Sequence, residues 1–194
     1  MNVWQAKAFI YDFLRKPWPF NRILATEYKI NSMMLEMVPG ETGRALDIGC
    51  GVGYSTTLLN TFESYAIDIS FNMAKRAASK TKNVIVADAH RLAFRERSFD
   101  IVSCIGLSEY LSLLWHLRDS IAAVLKPKGF LLITSSPKNL YGYARIIGGA
   151  KLFLRHNSDV KNCFEASGFK LVEQHHIFSM DTFLFQKTAG LQCG

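Results

Sequence analysis

The chain has 194 residues, 49% of them hydrophobic and 20% charged, with a formal net charge of +7. That length suits one domain with a full core, and the composition excludes a long disordered polymer. No apolar run reaches the roughly 20 residues of a membrane-spanning helix. Lys7, Asp12 and Arg15 interrupt the N-terminal apolar residues, unlike a secretory leader. Cys50, Cys104, Cys163 and Cys193 show no CxxC pairing and no zinc-ligand spacing. The expectation is a cytoplasmic protein with free thiols and no metal. Its basic residues are scattered, which leaves a plain solvated surface and an anion-binding patch both open.

In chain order, Val3, Ala6, Phe9, Ile10, Phe13 and Leu14 recur at helical spacing before Pro17 and Pro19. Ile23, Leu24, Ile30, Met34 and Met37 mark a second helix over 22–37, ending at Pro39-Gly40. Residues 1–40 thus read as an N-terminal helical cap, with the methionines as core filler. From 41 to 187, strand-like and helix-like segments alternate, the pattern of a parallel sheet covered on both faces. Strands are predicted at 44–48, 64–68, 83–87, 99–104 and 129–135, and helices at 54–62, 71–80, 109–124 and 158–167. Segments 169–176 and 179–186 have almost no linker, so they close the sheet as an antiparallel hairpin. The predicted fold is α/β: a Rossmann-like three-layer sandwich with a seven-stranded, mostly parallel sheet, forming a single domain over 1–194.

The central motif is Leu46-Asp47-Ile48-Gly49-Cys50-Gly51-Val52-Gly53-Tyr54, a buried strand that turns on alternate glycines into a helix start. Glycine lets the backbone adopt positive φ and lets a ligand approach without a Cβ in the way. Asp68 ends the second strand, 19 residues after Gly49, where a carboxylate can accept both hydroxyls of a ribose. Asp88-Ala89 follows the third strand, where a carboxylate and an adjacent N–H can meet an adenine edge. Helix capping is the alternative use of any one of these aspartates. A dinucleotide fingerprint needs glycine at 54 or 56, and those positions are Tyr54 and Thr56. Asp47, just before the loop, would repel a pyrophosphate, but it can hold the loop and the amine of a bound amino acid. The chemistry points to adenosine joined to an amino acid.

The sequence here resembles the class I S-adenosylmethionine-dependent methyltransferases. LDIGCGVG at 46–53, AIDIS around Asp68 and VADAHRLAF around Asp88-Ala89 are similar to the family's first three motifs. SFDIVSCIGLSEYL at 98–111, VLKPKGFLLI at 124–133 and HNSDVKNCFEASGFKLVE at 156–173 continue the match, which covers roughly 44–187. The resemblance is nearest to small-molecule enzymes typified by the ubiquinone and menaquinone C-methyltransferases. It implies S-adenosyl-L-methionine as cofactor and S-adenosyl-L-homocysteine as product. It also implies that Gly49 and Gly51, with Cys50 and Gly53 beside them, shape the methionine pocket. Asp68 would bind the ribose, Ile69 and Ala89 would flank the adenine, and Cys104 would offer a carbonyl to the amine. In the turn Lys126-Pro127-Lys128-Gly129, lysine follows proline and Gly129 keeps the reversal.

A sulfonium activates its own methyl group, so the main requirement is an acceptor aligned in a dry pocket. Glu109 and Tyr110, just beyond the fourth strand, are the first candidates for catalytic contact, with His156 as a further candidate base. Ordinary helix-start roles are the alternative for all three. Segment 137–157 mixes Tyr141, Tyr143 and Phe153 with Lys138, Arg145, Lys151 and Arg155 around Gly142, Gly148 and Gly149. It reads as a lid over a lipophilic or anionic small-molecule acceptor, completed by Trp4, Phe9, Trp18 and Phe20, or else as core cover. A homodimer and transient contact with a membrane surface are expectations compatible with that reading. Nucleic-acid or protein acceptors rank second, since the Asn-Pro-Pro-Tyr signature and a Pro-Cys nucleophile are absent. A non-catalytic regulatory partner ranks third.

Overall fold

The structure, a computed structural model, describes residues 17–40, 42–147 and 151–189. The helix expected over 2–15 with Trp4 and Phe9, together with Gly148, Gly149 and Cys193, lies outside the described residues. The elements in order are α1 (Phe20–Glu36), β1 (Arg44–Ile48), β2 (Glu63–Asp68), α2 (Phe71–Ala77), β3 (Asn83–Val86) and β4 (Phe99–Cys104). There follow α3 (Leu114–Val124), β5 (Leu125–Ser135), α4 (Leu140–Ile147), α5 (Asn157–Glu165), β6 (Phe169–Ile177) and β7 (Met180–Lys187). They build one seven-stranded sheet in the order β3-β2-β1-β4-β5-β7-β6. β1 through β5 run parallel, and β7 runs antiparallel to both β5 and β6. The predicted Rossmann-like sheet with its terminal hairpin is the one observed.

The chain winds outward from β1 to β3, then returns to lay β4 on the other side of β1. Between β1 and β4 the carboxyl ends diverge into a crevice, the place where open α/β sheets bind ligands. Central strands are buried on both faces, so they read as continuous apolar runs while their side chains still alternate. Leu46, Val102, Leu131 and Phe185 point to one face, packing with Leu117 and Ile121 of α3 and Phe164 of α5. Ala45, Ile101, Leu132 and Leu184 point to the other, against Ile30 and Met34 of α1.

Two predicted elements are redrawn by side-chain hydrogen bonds, and a third begins earlier than predicted. The helix expected over 54–62 shrinks to a 3-10 turn at Thr56–Leu59. Ser55 and Thr56 each donate a hydroxyl to Asp47 at 2.6 Å, and such side-chain bonding competes with regular helix. The helix expected over 109–124 splits into a turn at Ser108–Tyr110 and α3. There the Arg155 guanidinium takes the carbonyls of Ser108, Leu111 and Ser112, oxygens that a continuous helix would use itself. β5 starts at Leu125 instead of 129, and the reversal falls on Lys128 with φ +64°. Gly129 is needed for a different reason, since a Cβ there would stand 2.9 Å from the carbonyl oxygen of Asp100. Of the methionines read as core filler in α1, Met34 is buried, whereas Met37 is 47% exposed.

Phe185 is fully buried and stacks on Phe164 at 5.2 Å, joining β7 to α5. Phe185→Ala is expected to cost about 3–5 kcal/mol in urea unfolding, while Met37→Ala changes stability by less than about 0.5 kcal/mol.

Candidate functional site

The glycine loop leaves β1 and hooks onto β2, with Gly49 N and Cys50 N both donating to the Ile67 carbonyl at 2.8 and 2.9 Å. Beneath it the fully buried Asp47 accepts three hydroxyls, from Ser55 and Thr56 at 2.6 Å and from Ser103 of β4 at 2.7 Å. Burial pushes the Asp47 carboxyl above its ordinary range, and the three hydroxyls pull it back. At the end of β2, Asp68 closes the loop by accepting from Gly51 N at 2.9 Å on one oxygen and from Ser70 N at 2.8 Å on the other. Burial raises the Asp68 carboxyl, opposed by these two N–H groups.

Gly49 and Gly51 both have positive φ, at +73° and +55°, but their surroundings differ. A Cβ on Gly49 would stand 2.9 Å from Leu107, whereas one on Gly51 would meet nothing within 4 Å. Gly51 borders a cavity of about 540 Å³ that opens across the carboxyl ends of the strands. Gly49, Cys50, Gly51, Asp68, Ile69 and Ala89 line one end of it. Glu109 and Tyr110 line the other, with Ser135, Ser136, Ser179, Tyr141 and Arg145. Ile23, Leu24 and Tyr28 of α1 form an adjoining wall.

Eight of the predicted site residues therefore meet in one cavity. Asp47 and Cys104 lie beneath its lining, both fully buried. Gly53 is turned toward Ala77 and Lys80 of the α2 region. The Asp88 carboxylate is outside the lining and accepts from His90 N at 2.9 Å, a contact that lowers its pKa. His156 also stands apart from the cavity, heading α5 with its backbone N–H donated to Asp159 at 3.1 Å.

Glu109 is 6% exposed and accepts from Ser136 Oγ at 3.3 Å through Oε1. Its Oε2 has no hydrogen-bond partner among the described residues. Burial raises its pKa, against the pull of Arg145, Ser136 and Arg155. Arg155, expected as a lid residue, is instead a buried tether that grips the Ser108–Ser112 carbonyls and so fixes the backbone carrying Glu109. Ser135, Ser136 and Ser179 were not visible as site residues in the sequence. The available signal was Ser135-Ser136-Pro137 at the carboxyl end of β5, on the same side of the sheet as the glycine loop.

The glycine end fits a nucleoside joined to an amino acid. Each Asp68 oxygen accepts one N–H and retains a lone pair for a ribose hydroxyl. Ile69, 52% exposed, and Ala89 supply apolar walls for a purine. Among the lining residues the cation is Arg145, at the far end, while Lys80 beside Gly53 lies outside the lining. Among the described residues no group of His, Cys, Asp or Glu side chains could hold a metal ion. This is the site of an α/β domain that binds S-adenosylmethionine.

Comparison with known proteins agrees. Residues 46–133 match the family described as "Methyltransferase domain". An uncharacterised protein of Methanocaldococcus jannaschii is 33% identical over 133 residues, covering 69% of this chain and 57% of that protein. A ubiquinone biosynthesis O-methyltransferase of Bradyrhizobium diazoefficiens is 31% identical over 124 residues, covering 58% of this chain and 47% of that enzyme. The chain thus spans about half the length of the curated relatives it matches. In fold it is similar to a putative methyltransferase of Haloferax volcanii solved in complex with a methyltransferase activator, with a TM-score of 0.81 at 17% identity. That match covers 97% of this chain and 99% of the other. The chain belongs to the class I S-adenosylmethionine-dependent methyltransferases.

Removing the Asp47 carboxylate strands three hydroxyls, two of them on the buried Thr56 and Ser103, so Asp47→Ala is expected to cost on the order of 3 kcal/mol in urea unfolding, with Asp47→Asn milder. The two glycines should separate stability from binding. Gly51→Ala should lose roughly 1–2 kcal/mol of stability through its positive φ while abolishing S-adenosylmethionine binding in calorimetry, because the new methyl enters the cavity. Gly49→Ala should be the less stable variant, since its Cβ collides with Leu107.

Proposed function

We propose that this protein transfers the methyl group of S-adenosylmethionine to a small-molecule acceptor. The observation that carries the reading is the single cavity, in which the glycine loop and Asp68 share one space of about 540 Å³ with Glu109, Tyr110 and Arg145. Small-ligand sites span roughly 300–1,000 Å³, so a cavity that takes the cofactor has room left for a modest acceptor and none for a folded macromolecule. The name of the Bradyrhizobium relative, an O-methyltransferase of ubiquinone biosynthesis, supports the same acceptor class.

When bound, the cofactor supplies an electrophilic methyl group. The residues of this chain do the rest by placement. Asp68 holds the ribose, the open backbone at Gly51 admits the amino-acid end, and Asp47 keeps the loop at its height. Beyond the loop, α1 and α4 border the acceptor end with Ile23, Leu24 and Tyr141, which lessens its contact with water. Glu109 and Tyr110 meet the acceptor there, with Glu109 able to take or hold a proton when the nucleophile is a hydroxyl. His156 heads a helix outside this space and takes no part in the step.

A second reading, an enzyme that depends on a protein partner, is favoured by the sheet edge. β3 leaves Ile85 and Val86 44% and 50% exposed on the outermost strand, a surface open to pairing. The Haloferax protein's complex with an activator is in keeping with it. Donor binding without turnover of any small acceptor, together with retention of a second chain that Ile85→Lys abolishes, would favour this reading.

Titration with S-adenosylmethionine, with NAD as control, should show saturable binding that Asp68→Ala removes. Because burial raises the Asp68 carboxyl, its ionised, ribose-accepting form is lost earlier on acidification than for a surface aspartate. Affinity should therefore hold at neutral pH and begin to fall above the ordinary aspartate range as pH drops. Asp68→Asn should bind weakly and show a flat profile. Labelled donor should then methylate small phenols, quinol precursors or acids, and leave tRNA and bulk protein unlabelled.

A further inference from the structure

The acceptor end of the cavity has a polar bank and an apolar bank. On the polar side Glu109 Oε2, Ser135 Oγ and Ser179 Oγ are buried without a hydrogen-bond partner among the described residues, and all three residues line the cavity. Glu109, Ser135 and Ser179 are 6%, 2% and 3% exposed, so each is a desolvated polar group at the cavity wall. They come from three different segments, the turn at Ser108–Tyr110, the end of β5 and the turn between β6 and β7.

Beside them stands Arg145 of α4, the cation among the lining residues. Its Nη1 donates to Ser136 Oγ at 2.8 Å and its guanidinium lies 5.9 Å from the Tyr141 ring centroid. Those contacts orient the group without neutralising it, and they leave most of its five N–H donors for a planar or tetrahedral oxyanion. The carboxylates facing the same space are Glu27 on α1, Glu109, and Asp68 at the cofactor end. Burial raises the Glu109 pKa, which lessens the charge it sets against an anion, while the Arg145 guanidinium pulls the other way. Opposite this bank, Phe20, Ile23 and Leu24 of α1 provide an apolar wall.

We propose that the acceptor is an amphipathic acid, whose carboxylate or phosphate docks on Arg145 and the Glu109–Ser135–Ser179 bank while its apolar body lies against α1. This rests on the small-molecule methyltransferase reading and narrows it. Charge-assisted contacts to a guanidinium are about twice as strong as neutral ones, and they discriminate an acid from its amide.

The test is a titration of the full chain, saturated with S-adenosylhomocysteine, using 3-phenylpropionate, phenyl phosphate and the neutral 3-phenylpropanamide. At least one of the two anions should bind about tenfold tighter than the amide, a difference of about 1.4 kcal/mol. Whichever binds tighter identifies the head group. Arg145→Met should erase the preference, Arg145→Lys should retain part of it, and both should keep S-adenosylhomocysteine affinity within about twofold of wild type, which shows that they are folded. Equal binding of acid and amide, no binding of either anion, or a preference that survives Arg145→Met would overturn the proposal. The same comparison on the free protein separates the two ideas. Failure to bind S-adenosylhomocysteine counts against the methyltransferase reading alone, while loss of acid preference counts against this one.

Discussion

A buried aspartate organises the cofactor end. Asp47 sits where β1 ends, with no solvent contact, and its oxygens gather hydroxyls from the loop that follows and from the neighbouring strand β4. A carboxylate in that position is costly unless its oxygens find donors. Ser55, Thr56 and Ser103 supply those donors, and in doing so they pull the loop down onto the sheet. The helix after the loop is shortened as a consequence, and the backbone at Gly51 is left facing open space. The cavity is therefore shaped by satisfying a buried carboxyl, and the candidate cofactor residue Asp68 is set relative to that anchor.

The acceptor end has its own anchor of opposite sign. Arg155 is buried and loses stabilisation from water, which lowers its pKa, yet it finds carbonyl oxygens on the segment leaving β4. Both halves of the site thus follow one rule, in which a charged group inside the protein dictates the path of the chain around it. Such tethers make the two rims of the cavity rigid relative to the sheet.

Much of the fold was legible from sequence because burial on both faces produces the apolar runs at 44–48, 99–104 and 129–135, and because a missing linker forces the hairpin. The cofactor end was legible for a related reason. Glycines and aspartates at strand ends are local signals, and the sheet brings Gly51, Asp68 and Ala89 together by topology alone. The acceptor end was less legible. Arg155 looked like a lid cation, since nothing in its neighbours shows that its partners lie more than forty residues upstream. Ser135, Ser136 and Ser179 carry no motif, and only the antiparallel pairing of β7 with β5 brings Ser179 to them. His156 attracted notice as a titratable residue between elements, but its position at the head of α5 takes it away from the cavity. The element break at 111–113 escaped for the same cause, being set by the distant Arg155 side chain and not by local propensity.

The reversed direction of β7 also determines which parts of the chain can be altered separately. Parallel strands present their carboxyl ends to the cavity, so β1, β2 and β4 meet it through the loops that leave them. β7 runs the other way and presents its amino end, through Ser179 and Met180 at the tip of the hairpin. The hairpin tip thereby forms part of the acceptor wall from a segment that makes no contribution to the glycine loop. Under the proposed function, variation at Ser179 and Met180 would reshape what is accepted while the glycine-loop half stays untouched, giving the fold one wall for selectivity and another for donor binding.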